Sequence, residues 1–207
     1  MSDCSDDNLK FAVQTGVNHI VHASHKPFMI EGKGYWSKEA LVEFRERVES
    51  HGISVEVMAP PLHSSFVDNA DSPNIMLGNA DRDQDIDNII KCVQAAGEAG
   101  IPCLKYNMCL LGVVSTGKVA GRGGATYRYF NFEEMKETDK ELTQAGKVDA
   151  DAMWERISYF LERVIPVAEE YKVKMACHPH DPGMPSSGYR GIDRVLGTVE
   201  GAKKFAD

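Results

Sequence analysis

The chain has 207 residues, the span of one or two ordinary domains, with 43% apolar and 26% charged residues. That balance excludes a disordered tail, a collagen-like fibre and a disulfide-stapled miniprotein. A formal charge of −8 repels phosphate backbones, so no nucleic acid partner is expected.

The start, Met1 to Asp7, is polar and acidic, unlike a signal peptide. No apolar run approaches the roughly 18–20 residues of a membrane span, so no membrane partner is expected and a cytoplasmic location is. Asn18 to Ala23 reads as a short strand. Ser37 then caps a helix with Leu41, Phe44 and Val48 on one face, Gly52 after its last turn, and Trp36 placed to staple onto Leu41. Ile53 to Met58 is a second strand, ended by Pro60 and Pro61. The next helix, about Asp83 to Ala99, carries Ile86, Ile89, Ile90, Val93 and Gly97 as its buried stripe and stops at Gly100.

Ile101 to Tyr106 is a third strand. After a long polar segment, Asp149 or Asp151 caps a helix with Met153, Ile157, Phe160, Val164, Val167 and Tyr171 at helical spacing, kinked by Pro166. Val173 to His178 is a fourth strand, and Thr198 caps a last helix with Val199, Ala202 and Phe205. Of the five cysteines, none in a C-x-x-C pair, Cys92, Cys103 and Cys177 lie in apolar segments and read as small buried hydrophobes in a reducing compartment.

Four strand-then-helix units in series predict parallel strands with right-handed crossovers, hence an α/β fold. The choice is between an open doubly wound sheet and a (β/α)8 TIM barrel. The first βα turn, Ala23 to Pro27, lacks the glycines of a dinucleotide-binding sheet, and polar, histidine-bearing segments follow the strands, so the barrel is favoured. A barrel needs eight units and about 250 residues. The expectation for 1–207 is therefore a single catalytic barrel domain, truncated on its C-terminal side, with about half of the barrel present.

The segment Cys177 to Gly183 (CHPHDPG) puts two histidines and an aspartate past the fourth strand. Imidazole suits Zn, Mn or Fe, and carboxylate completes such sites. The prolines are expected to keep the chain extended, with His178 and His180 pointing the same way. The alternative is a turn with solvated histidines. His22 and His25 follow the first strand, His63 the second, and Tyr106 with Asn107 the third, a recurrence at one face that favours a site. The acidic run Asp81 to Asp87 lacks the glycine and glutamate of a calcium loop and reads as a helix start. Gly117 to Arg128 reads either as a lid whose Arg122 or Arg128 meets a carboxylate, or as a disordered insertion.

Leu77 to Arg82 (LGNADR), Leu104 to Asn107 (LKYN), Arg128 to Asn131 (RYFN), Met175 to Pro182 (MACHPHDP) and Gly191 to Gly197 (GIDRVLG) together resemble the mannonate dehydratase family, in order from about His19 to Asp207. The resemblance implies a barrel of the xylose-isomerase-like type that removes water from D-mannonate to give 2-keto-3-deoxy-D-gluconate in hexuronate breakdown, with Mn2+ or Fe2+. It implies His178 as a metal ligand and His25, His63, Tyr106 and Asn107 as pocket positions; with Arg128 from the lid reading and His180, these are the expected sugar-acid contacts. No acid/base catalytic residue is assigned. The family's other ligands, a cysteine, a histidine and an aspartate, are expected from later strands. His180 departs from the family's usual aspartate before the Asp-Pro pair. A homo-oligomer is expected. The competing readings are a sugar isomerase or epimerase on the same barrel, and a non-catalytic fragment.

Overall fold

The computed structural model describes residues 1–138, 141–185 and 188–207, without the side chains of 136–138. Its strands are β1 (His19–His22), β2 (Ser54–Met58), β3 (Cys103–Asn107), β4 (Gly117–Ala120), β5 (Thr126–Tyr129) and β6 (Lys174–His178). The four strands read from the sequence form one parallel sheet in the order β1-β2-β3-β6. Its helices are α1 (Asp6–Gln14), α2 (Lys38–Glu49), α3 (Pro73–Leu77), α4 (Arg82–Glu98), α5 (Phe132–Thr138), α6 (Ala150–Glu170) and α7 (Val199–Ala206).

The helix starts follow their caps. Ser37 Oγ accepts from Ala40 N at 3.2 Å, Asp149 Oδ1 from Ala152 N at 2.9 Å, and Thr198 Oγ1 from Gly201 N at 3.0 Å, so Asp149 rather than Asp151 begins α6. Such a cap contributes about 1 kcal/mol, whereas burying Leu41, Phe44 and Val48 contributes about 1.5–3 kcal/mol apiece. Packing therefore decides that α2 forms, and the cap decides where it begins. The kink expected at Pro166 does not end α6, which runs on to Glu170. The missing N–H removes one bond, and the turns on either side are held by buried Val164 and Ala168.

The helices cover one face of the sheet. Ile20, Val55 and Leu104 are buried there, and Tyr106 packs on Phe160 of α6 with ring centroids 5.6 Å apart. Phe28, Trp36 and Phe44 close the core beside β1. The other face carries His19, Val21, Glu56, Lys105 and Ala176, and Val21 is 49% exposed. Cys92 is fully buried as expected, whereas Cys103 and Cys177 are only half-buried, Cys103 on the uncovered face of β3 and Cys177 on β6 at the end of the sheet.

Three features were not expected. α1 packs Leu9 and Ala12 inward and is tied to α2 by Arg47, which donates to Cys4 O at 2.8 Å and meets Asp6 at 3.1 Å. α3 is a short helix closed by Gly78 in the left-handed region. The segment expected to be a lid or a disordered insertion is an antiparallel hairpin, β4 with β5, paired from Gly117 with Tyr129 to Ala120 with Thr126.

Gly97 of α4 lies against Tyr171, the residue that caps α6, and an added Cβ would lie 2.8 Å from both Cβ and the carbonyl oxygen of Tyr171. Helix propensity alone favours alanine there by about 0.5–1 kcal/mol. Because the obstacle is partly backbone, Gly97→Ala is expected to destabilise by about 1–3 kcal/mol. The urea midpoint measures this, and a rise would show that the helices separate freely.

Candidate active site at the carboxyl ends of the strands

Parallel strands bring all their carboxyl ends to one edge of the sheet, where post-strand residues of distant sequence meet. β3 and β6 are in register from Cys103 with Lys174 to Asn107 with His178. Side chains alternate in direction along a strand. Tyr106 and Cys177 therefore face the helices, while Lys105, Asn107 and His178 share the uncovered face. Lys105 Nζ donates to Asn107 Oδ1 at 2.7 Å. Partial burial pulls the Lys105 pKa below the usual lysine range.

His178 is half-buried, and its Nδ1 lies 2.7 Å from the Pro179 carbonyl oxygen. A carbonyl only accepts, so Nδ1 carries the hydrogen and Nε2 of the neutral ring keeps its lone pair. This is the usual arrangement of a metal-binding histidine, whose other nitrogen donates to a backbone carbonyl. The residues present thus fit a divalent ion at one ligand. Among the described residues, no three-donor group of His, Cys, Asp or Glu includes His178.

His180 does not point with His178. It is 6% exposed, with Nε2 2.7 Å from the Met108 carbonyl oxygen and Nδ1 accepting from Leu196 N at 3.3 Å. Both nitrogens are engaged by the backbone, and only the neutral ring satisfies both. Burial, reinforced by nearby Arg194, pushes its pKa down to about 4. His180 therefore holds the ends of β3 and β6 to the 3-10 turn Val195–Gly197 and leaves no nitrogen for a sugar acid. Tyr106 is likewise a core residue, 1% exposed against Phe160. Arg128 lies on the hairpin, exposed, and donates from Nη2 to Val113 O at 2.8 Å.

His25 and His63 do come together, with ring centroids 5.1 Å apart, and Asp71 joins them. His25 Nε2 is 3.1 Å from Asp71 Oδ2, and His63 Nδ1 is 3.6 Å from the same oxygen. Burial lowers the His25 pKa, opposed by Asp71. His63, Asp71, Asn107 and Cys109 line one narrow cleft. His22 stays apart, buried with Nδ1 3.4 Å from Cys4 Sγ, and burial lowers its pKa also. Lys105 and Asp71 were missed in the sequence. Lys105 shows as a charge inside an apolar strand, whereas nothing marks Asp71 in its loop.

The D-mannonate dehydratase (UxuA) family model matches residues 5–145 and 129–207. The chain is 29% identical over 194 residues to a mannonate dehydratase of Streptococcus agalactiae serotype Ia, covering 82% of this chain and 52% of that one. Against the mannonate dehydratase of Lachnoclostridium phytofermentans it is 30% identical over 186 residues, covering 74% and 49%. The crystal structure of mannonate dehydratase from Streptococcus suis serotype 2 superposes with a TM-score of 0.74 at 25% identity, covering 95% of this chain and 54% of that one. D-Psicose 3-epimerase from Clostridium cellulolyticum H10 matches at a TM-score of 0.56 and 14% identity over 99% of this chain and 55% of that one, a likeness of fold alone. The fold is an α/β barrel of which about half is present, and the chain spans about half the length of the curated relatives it matches.

His22 and His180 have folded-state pKa values below the unfolded value of about 6.5. The unfolded chain therefore binds more protons at mildly acidic pH, so their contribution is complete above about pH 6.5 and is lost as pH falls below it, for His180 down to about pH 4. His180 alone is expected to account for about 3 kcal/mol across that window. Urea unfolding at pH 7, 5.5 and 4.5 measures it, and a His180→Gln variant should show a flatter dependence. An equal slope in that variant would contradict the assignment.

Proposed function

The chain belongs to the D-mannonate dehydratase (UxuA) family, and on that premise we propose that the protein carrying it dehydrates D-mannonate to 2-keto-3-deoxy-D-gluconate in hexuronate breakdown. The observation that carries this reading is the family match along the chain from residue 5 to residue 207. The proposal includes a divalent ion, Mn2+ or Fe2+, a cytoplasmic location and a homo-oligomer. Among the described residues, no helix is long and apolar enough to cross a membrane.

The hydrogen alpha to a carboxylate is weakly acidic, so its removal requires stabilising the charge that develops on the carboxylate oxygens. A divalent ion, when bound, supplies Lewis acidity to those oxygens and to the departing hydroxyl. In this chain His178 would hold the ion through Nε2, with Nδ1 fixed by Pro179 O. Lys105, two residues before Asn107 on the same face, would bring a positive charge to the sugar-acid carboxylate. Asn107 Oδ1 already accepts from Lys105, which leaves its Nδ2 hydrogens for substrate hydroxyls. The remaining ligands and the acid/base group belong, in this proposal, to the half of the relatives' length that this chain does not cover.

The test is an assay of the protein carrying this chain with D-mannonate and Mn2+ or Fe2+, following the 2-keto-3-deoxy acid by NMR. Product is expected, with His178→Ala lowering kcat/KM by about 100-fold or more while the far-UV spectrum is unchanged. No product with Mn2+, Fe2+, Co2+ or Zn2+ would overturn the proposal.

A further inference from the structure

His25, His63 and Asp71 form, among the described residues, a group of three metal-capable donors whose ligand atoms all lie within 4.8 Å of one another. They come from three loop segments: His25 after β1, His63 after β2, and Asp71 just before α3. A first-row divalent ion bonds to imidazole nitrogen and carboxylate oxygen at about 2.0–2.2 Å, which sets donor separations near 3.5 Å around a tetrahedral centre. Two of the separations here are already 3.1 and 3.6 Å. A second observation is independent of the distances. His63 Nδ1 is buried and has no hydrogen-bond partner, and leaving a buried polar atom unpaired is costly. An ion at the centre of the group supplies that partner.

We propose that His25 Nε2, His63 Nδ1 and one Asp71 oxygen hold a divalent first-row transition-metal ion, at a site separate from His178. Two imidazoles and one carboxylate select Zn2+, Co2+, Fe2+ or Mn2+ over Ca2+ or Mg2+, which prefer oxygen ligands throughout. Three protein ligands leave a coordination position open, the pattern of reactive rather than structural centres. Asp71 forms the open side, with its side chain 36% exposed, while His25 is buried at the back. Burial also favours neutral His25, the form that binds metal.

Co2+ alone is the probe, titrated into the chelator-treated 207-residue chain, where no described three-donor group includes His178, and read by its visible d–d absorption. One equivalent is expected to give a saturating band. His63→Gln and Asp71→Asn should each weaken its binding by about tenfold or more, and His178→Ala should leave it unchanged. In the unsubstituted protein, the same ion should shift the imidazole NMR resonances of His25 and His63, a readout that does not depend on any variant folding. No saturable band, equal binding in Asp71→Asn, loss of binding in His178→Ala, or unshifted His25 and His63 resonances would each overturn the site. The readout is ion binding without turnover, so its failure is distinct from failure of the D-mannonate assay.

Discussion

The parallel ladder between β3 and β6 is the constraint that orders the chemistry of this chain. Five register pairs fix Asn107 beside His178 and Tyr106 beside Cys177. Because side chains alternate, this one alignment sends a tyrosine and a cysteine toward the helices and a lysine, an amide and an imidazole to the opposite face. A slip by one residue would exchange the two sets, burying Lys105 against Phe160 and exposing Tyr106. The cost of burying an unpaired ammonium makes that exchange prohibitive. The core therefore sets the register, and the register composes the polar edge.

His180 extends the same alignment beyond the strands. Its two nitrogens join Met108, just after β3, to Leu196 in the turn before α7. Sequence spacing placed it on the same side as His178, since residues two apart in an extended chain face alike. β6 ends at His178, however, and the chain leaves the strand geometry through Pro179. Strand periodicity cannot describe a residue once the strand has stopped. The histidines at 178 and 180 are close in sequence but part in space, His178 half-buried with a free nitrogen and His180 engaged by the backbone through both.

The main scaffold was legible because its signals are strong and local. α2, α4 and α6 have long apolar stripes, and Gly52 and Gly100 mark turns at positive φ. α1 was not legible because its buried stripe is only Leu9 and Ala12, while Phe11 is 64% exposed. The β4–β5 hairpin escaped because its residues are almost all exposed, leaving no apolar alternation to detect. In the candidate site, the histidines announced themselves by recurring after strands. Asp71 did not, because its meeting with His25 is created by the path of a loop, and loop paths have no period. Tyr106 misled for a related reason: the last residues of a strand alternate between site and core, and residue type alone does not say which side is which.

Six strands are described, yet the sheet that carries the site has two ends. On the β1 side, the Met1 amino group donates to Val21 O, and Ala23 N donates to Met1 O at 3.4 Å, so a piece of irregular chain lies along that margin. Beyond β6 no described strand pairs with Lys174 to His178. The two margins therefore differ in what lies along them among the described residues. A strand seated beyond β6 would lie directly alongside His178.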